Sequence, residues 1–151
     1  MTGEAVELAF HWQVLGDLTP DAAGKPVLPP VPLGPGVYRI TIDAEDASVY
    51  FGEATDLPAR LRRYRNPGQR QPTSLRIHKL LCEALTKRCH CDLAVAKIDS
   101  FQTDRSDARL DLRLKAARVL IESTGIILAR KEGRRSVLNL DPGFDRALGG
   151  D

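Results

Sequence analysis

"GVYRITIDAEDASVYFGEATDLPARLRRY", residues 36–64, is the stretch from which the fold is read. "VYRITI" at 37–42 alternates apolar and polar residues and ends at the turn-like "DAEDA"; "SVYF" at 48–51 is a second apolar run. Two short runs joined by about five polar residues predict a β-hairpin. Gly52 ends the second strand, Asp56 is placed to cap a helix, and Pro58 falls in its first turn. Leu57, Leu61 and Tyr64 then share one helical stripe, and "NPG" at 66–68 stops the helix. Its charged residues are all arginines: Arg60, Arg62, Arg63 and Arg65.

Downstream, Thr73 or Ser74 is expected to cap a second helix to about Leu85, with Ile77, Leu80, Leu81 and Ala84 inward. "CHCDLAVAKI" at 89–98 reads as a third strand and "DSFQTDRSD" at 99–107 as loop. A long helix is predicted from about Ala108 to Ala129, with Leu110, Leu114, Ala117 and Ile121 as its core stripe. "SVLNL" at 136–140 reads as a short closing strand before a "DPG" turn. Upstream, "AVELAFHWQVL" at 5–15 has apolar content for one short strand or a helical turn. Residues 17–36 hold six of the ten prolines and predict an extended connector laid over the surface. The order hairpin, helix, helix, strand, helix predicts an α+β fold, a small antiparallel β-sheet flanked by helices. Residues 1–35 are expected to be an N-terminal strand and proline-rich arm packed on a domain of residues 36–151.

A chain of 151 residues holds one sizeable core. Its 42% hydrophobic and 28% charged composition is that of a soluble globular protein. No apolar run approaches the roughly 20 residues of a membrane helix, and "MTGEAVELAF" has no basic n-region, so it does not read as a secretory signal. Three cysteines, an odd number, argue against a disulfide framework and for a cytoplasmic location.

The net charge of +2 conceals a segregation. Between Leu57 and Cys82 there is no carboxylate, while Arg60, Arg62, Arg63, Arg65, Arg70, Arg76 and Lys79 supply seven positive charges. The remaining chain carries 15 basic and 20 acidic residues. Solvated helices normally mix signs; a one-signed segment in an otherwise acidic chain predicts a face for a polyanion.

"GVY" at 36–38 followed by "YFG" at 50–52 resembles the paired signature of the GIY-YIG nuclease superfamily. "YFGEATDLPARLRRY" is especially similar to the N-terminal nuclease domain of the bacterial excision-repair incision proteins. The resemblance runs from about Gly36 to Asn139, with Thr86 to Asp111 longer than a minimal member. It implies a GIY-YIG-like α/β sandwich and a divalent-metal-dependent endonuclease using Mg²⁺ or Mn²⁺, leaving 5′-phosphate and 3′-hydroxyl ends. It also implies an essential arginine at Arg60, a metal-binding glutamate at Glu122 and an asparagine at Asn139. Tyr64 matches a position holding tyrosine or histidine.

The chemistry of these residues fits those roles. Phosphodiester hydrolysis needs an activated water, a cation beside the scissile phosphate and stabilisation of transition-state charge. Arg60 lies about 60° from Leu57 on a helical wheel, at the edge of the buried stripe, and Tyr64 follows it by one turn. Glu122 is the sole acid in "AARVLIESTGIIL", where a carboxylate costs free energy unless a metal ion, solvent or Arg118 four residues earlier compensates it. Tyr38 and Tyr50 stand on neighbouring strands; a nearby metal and arginine would lower a phenol pKa toward base chemistry, and any of Tyr38, Tyr50 or Tyr64 can serve. Asn139 would contact the metal region or brace the backbone.

The expected nucleic-acid-binding set is Gly52, Arg62, Arg63, Arg65, Arg70, Arg76, His78 and Lys79, with DNA favoured over RNA. Two rivals stand beside the nuclease: a catalytically silent nucleic-acid-binding module of the same fold, and a zinc-stapled interaction domain. For the latter, His78, Cys82, Cys89, His90 and Cys91 are close in sequence, although Cys-x-Cys is not the usual knuckle spacing. A monomer or weak homodimer is expected, with a protein partner as one route to targeting.

Overall fold

The computed structural model describes residues 3–104 and 109–140. Its elements in chain order are β1 (Val6–Asp17), β2 (Thr19–Pro20), β3 (Pro26–Val27), β4 (Gly36–Asp43), β5 (Ser48–Ala54), α1 (Leu57–Arg65), α2 (Pro72–Thr86), β6 (His90–Thr103), α3 (Lys115–Glu132) and β7 (Ser136–Val137). The main sheet has the order β1-β6-β4-β5-β7. All its pairings are antiparallel except β5 with β7. The fold is α+β, with helices on both faces of the sheet.

Side chains alternate across a strand, so each inner strand feeds two cores. Tyr38, Ile40 and Ile42 of β4 and Leu93 and Val95 of β6 join α1 and α2 in the larger core, through Leu61, Tyr64, Ile77 and Leu81. Val37 of β4 and Ala96 of β6 face the other way and meet Ile121 of α3. This is why "GVYRITI" is buried nearly throughout: both of its faces are covered.

The hairpin and α1 form as expected, except that Gly52 does not end the second strand: β5 runs on to Ala54, because Gly52, Glu53 and Ala54 pair with Tyr38, Val37 and Gly36 of β4. Asp56 caps α1, accepting from the Ala59 amide at 3.1 Å, and Leu57, Leu61 and Tyr64 are its buried residues. α2 begins earlier than expected, at Pro72 after Gln71, with no side-chain cap. Pro72 supplies a preset first turn, and Ser74 is buried rather than capping.

Three elements differ from expectation, β1 and β6 because each pairs with the other across a long stretch of sequence, and α3 because of a local contact. β1 is a 12-residue strand, since it pairs along β6 from Val6–Thr103 to Asp17–Asp92. That pairing also makes strand of 99–103, where a loop was expected; His11 and Asp99 pair across it at 2.9 Å. α3 begins at Lys115, not near Ala108, a residue outside the described ones. The Leu112 and Arg113 carbonyls, which a longer helix would have used internally, accept instead from Arg118 Nη1 at 2.9 and 3.0 Å. Leu114 is accordingly 61% exposed, while Ala117, Ile121 and Gly125 form the buried stripe. β7 is shorter than "SVLNL", and the "DPG" turn lies outside the described residues. No helix among the described residues is long and apolar enough to cross a membrane.

Candidate active site

The two glycines of the signature are set by close packing. Gly52 stands opposite Tyr38 in the β4–β5 register, and a Cβ there would overlap the Tyr38 hydroxyl and ring. A Cβ on Gly36 would lie 2.6 Å from Leu57 Cδ1. Small residues here let the Tyr38 phenol cross β5 and let α1 close against β4.

The result is a three-tyrosine cluster. The ring centroids of Tyr38, Tyr50 and Tyr64 lie 6.0 to 6.5 Å apart. The hydroxyls of Tyr38 and Tyr64 share a hydrogen bond of 2.5 Å. Arg60 projects from the exposed edge of α1 and places its guanidinium carbon 5.6 Å from the Tyr64 ring centroid. Burial pushes the Tyr38 phenol up to about 12, the neighbouring Tyr50 adding to this and Tyr64 and Arg60 opposing it. Burial also raises Tyr64, reinforced by Tyr38 and Tyr50. For these two phenols desolvation outweighs the single guanidinium that opposes it. Tyr50, 7% exposed against 0% for the other two, is the least enclosed, and its hydroxyl makes no hydrogen bond among the described residues.

Asn139 braces the backbone. Its Oδ1 accepts from the Phe51 amide at 2.9 Å and its Nδ2 donates to the Phe51 carbonyl at 2.6 Å. The side chain thus continues the β5–β7 ladder beyond β7 and fixes the backbone next to Tyr50.

Glu122 is half-buried on α3. Burial raises its carboxyl pKa, Glu53 raises it further, and Arg60 and Lys115 oppose the shift. Arg118 does not pair with Glu122. It donates from Nε to Glu53 Oε2 at 2.6 Å, and Lys115 Nζ lies 4.0 Å from the other Glu53 oxygen. Glu53, next to the signature glycine, is the residue that the sequence reading missed. Its signal was a lone arginine in an apolar helix, which needs an acid from elsewhere. Glu53, Arg60, Arg63, Lys115 and Arg118 line an open cleft of about 420 Å³ beside the tyrosines.

The basic residues divide in two. Arg62, Arg63, Arg70 and Lys79 are exposed. Arg65 is occupied with Asp21 at 2.7 Å and the Pro26 carbonyl at 3.0 Å, tying the proline-rich arm to α1. Arg76 donates to the Leu138 carbonyl at 2.8 Å. His78 donates from Nδ1 to the Tyr64 carbonyl at 2.6 Å, and its Nε2 lies 3.5 Å from Cys82 Sγ. His90 turns to Asp17 and Asp43, and Cys91 is buried. Among the described residues no group of three or more His, Cys, Asp or Glu side chains is arranged to hold a metal ion.

With this geometry in place, the chain can be set against known proteins. No family model and no curated protein matches it. A solved structure does: a mutant of bacteriophage T4 EndoII superposes with a TM-score of 0.51 at 17% identity, covering 75% of this chain and 86% of that one. The two chains share a fold. At that identity the likeness to EndoII concerns the backbone arrangement, and the chemistry has to be argued from the side chains here.

Proposed function

We propose that this chain is a divalent-metal-dependent endonuclease of GIY-YIG type that hydrolyses nucleic-acid phosphodiester bonds, with DNA favoured over RNA. The observation that carries the reading is Arg60, which borders the cleft, packs its guanidinium on the Tyr64 ring of the three-tyrosine cluster and is near enough to Glu122 of α3 to favour that carboxylate's charge. The shared fold supports it, since EndoII is by its name an endonuclease.

In this reading the scissile phosphate sits in the cleft against Arg60, whose guanidinium is positioned by the Tyr64 ring and stabilises the added negative charge of the transition state. Tyr50, the least buried phenol, orients the attacking water for in-line displacement. The Tyr38–Tyr64 hydrogen bond holds the cluster rigid behind it. Glu122 is the residue to hold a divalent ion. It is a half-buried carboxylate whose charge burial disfavours, so a cation beside it relieves a cost already present. One protein carboxylate completed by water and phosphate oxygens suits Mg²⁺ or Mn²⁺. When bound, the ion supplies Lewis-acid stabilisation of the phosphate and the departing 3′ oxygen. Arg62, Arg63, Arg70 and Lys79 contact neighbouring phosphates, while Arg65, Arg76 and His78 brace the scaffold that presents them. Gly52 serves the site by admitting the Tyr38 phenol across β5, not by contacting substrate.

The test is a cleavage panel of supercoiled plasmid, linear duplex, single-stranded DNA and RNA with Mg²⁺, Mn²⁺ or EDTA, wild type beside Arg60→Ala. Metal-dependent cutting to 5′-phosphate ends, lost in the variant, is the expected result. Retardation of these substrates without cutting by either metal would replace the nuclease with a binding module. Affinity should fall by roughly 0.9 log units per log unit of salt for each duplex phosphate contacted.

A further inference from the structure

Arg39 and Trp12 lie on the face of the sheet turned away from the tyrosines. Arg39 follows Tyr38 on β4 and points oppositely, with its guanidinium carbon 5.3 Å from the Trp12 ring centroid. Its Nε is buried with no hydrogen-bond partner. The acid that favours its charge, Asp92, is already engaged: its Oδ1 accepts from Thr41 Oγ1 at 2.5 Å, and its other oxygen lies 3.9 Å from His90. Burial works against the Arg39 charge, Asp92 favours it, and the neighbouring guanidinium of Arg135 works against it again. Arg135 is itself paired with Asp43 at 2.5 Å, and Arg134 with Glu132 at 3.1 Å on the exposed rim. Arg39, Asp92, Arg134 and Arg135 line an open groove of about 750 Å³ together with the apolar and aromatic side chains of Phe10, Trp12, Phe51 and Leu128.

A buried guanidinium Nε–H without an acceptor, on a half-buried arginine, costs free energy that an anion drawn to that arginine would recover. A plain inorganic anion would leave the aromatic wall wet, and an apolar ligand would leave Arg39 unmatched. We propose that this groove binds a nucleotide unit, with the phosphate on the Arg39 and Arg135 guanidinium groups and the base against the Phe10 and Trp12 wall. Arginine with aromatic side chains is the combination that holds single-stranded nucleic acid by charge and stacking. The ligand chemistry is the same whether the unit is free or part of a strand. The site is separate from the hydrolytic cleft and does not depend on the function assigned there.

Trp12 is the sole tryptophan, so its emission reports on this groove. The protein is titrated in EDTA with thymidine 5′-monophosphate, a four-nucleotide oligothymidylate, thymidine and inorganic phosphate. A saturable change is expected with the monophosphate or the oligomer, with thymidine and phosphate each at least about 10-fold weaker. Arg39→Gln should weaken binding about 10-fold or more and Arg39→Lys less, with Arg60→Ala leaving it unchanged. If the Gln variant does not fold by circular dichroism, the Lys variant decides: binding measurably weaker than wild type supports the site, and binding equal to wild type overturns it. A response to the monophosphate identifies a free-nucleotide site; a response to the oligomer alone identifies a strand path. No saturable change with either, or a change lost in Arg60→Ala and kept in the Arg39 variants, would overturn the proposal. Cleavage activity is not read, so failure here leaves the hydrolytic reading standing, and the reverse holds.

Discussion

Arg118 Nε meets Glu53 Oε2 at 2.6 Å, joining the end of β5 to the first turns of α3. Arg118 is 2% exposed, and its Nη1 also holds the Leu112 and Arg113 carbonyls. Removing one partner of such a pair leaves a buried charge uncompensated. Arg118→Ala should therefore destabilise by about 3–5 kcal/mol. Glu53→Gln, which keeps an acceptor, should cost less. Urea denaturation of both variants measures this, and equal losses would mean that charge, not the hydrogen bond, sets the cost.

Gly52→Ala places a methyl group where the Tyr38 phenol passes. Overpacking of this kind costs about 1–3 kcal/mol, and here the ring that must move belongs to the candidate site. A lower melting temperature together with altered near-ultraviolet tyrosine dichroism is expected. An unchanged tyrosine spectrum would show that Tyr38 does not cross β5 as described.

Glu122 carries a carboxylate whose ionised form is disfavoured by burial and by Glu53. Glu122→Gln should leave the melting temperature in EDTA at pH 7 equal or higher, while cleavage falls by about 100-fold or more. Loss of activity accompanied by loss of stability would instead mark Glu122 as a scaffold residue.

The phenols give a pH signature. Tyr38 is pushed up to about 12, and Tyr64 is raised also. The folded state thus holds protons that the unfolded chain, with phenols near pH 10, releases first. The associated stability is complete below about pH 10 and is lost as the pH climbs toward 12. An absorbance titration of the folded protein should show at least two of its three phenols still protonated at pH 11. Three ionisations sharing one midpoint near 10 would contradict the enclosed cluster.

The sequence by itself determined the hairpin and α1. Alternation, the Asp56 cap and the Leu57–Leu61–Tyr64 stripe are local signals, and the glycines that admit Tyr38 and Leu57 stand inside the same 29 residues. Arg60 and Glu122 were legible as candidates because each residue type was anomalous where it stood: an arginine bordering a buried stripe, and a lone acid in an apolar helix. The length of β1 and the end of β6 were not legible, because each strand exists through its pairing with the other, from Val6–Thr103 to Asp17–Asp92, far apart in the sequence. The start of α3 depended on Arg118 capturing carbonyls that helix propensity assigns to the helix itself. The partner of Arg118, the division of the basic residues between braces and free cations, and the upward shift of the phenols were decided by tertiary structure alone. Each depends on which distant groups share a dehydrated space, and burial, unlike periodicity, is not written in neighbouring residues.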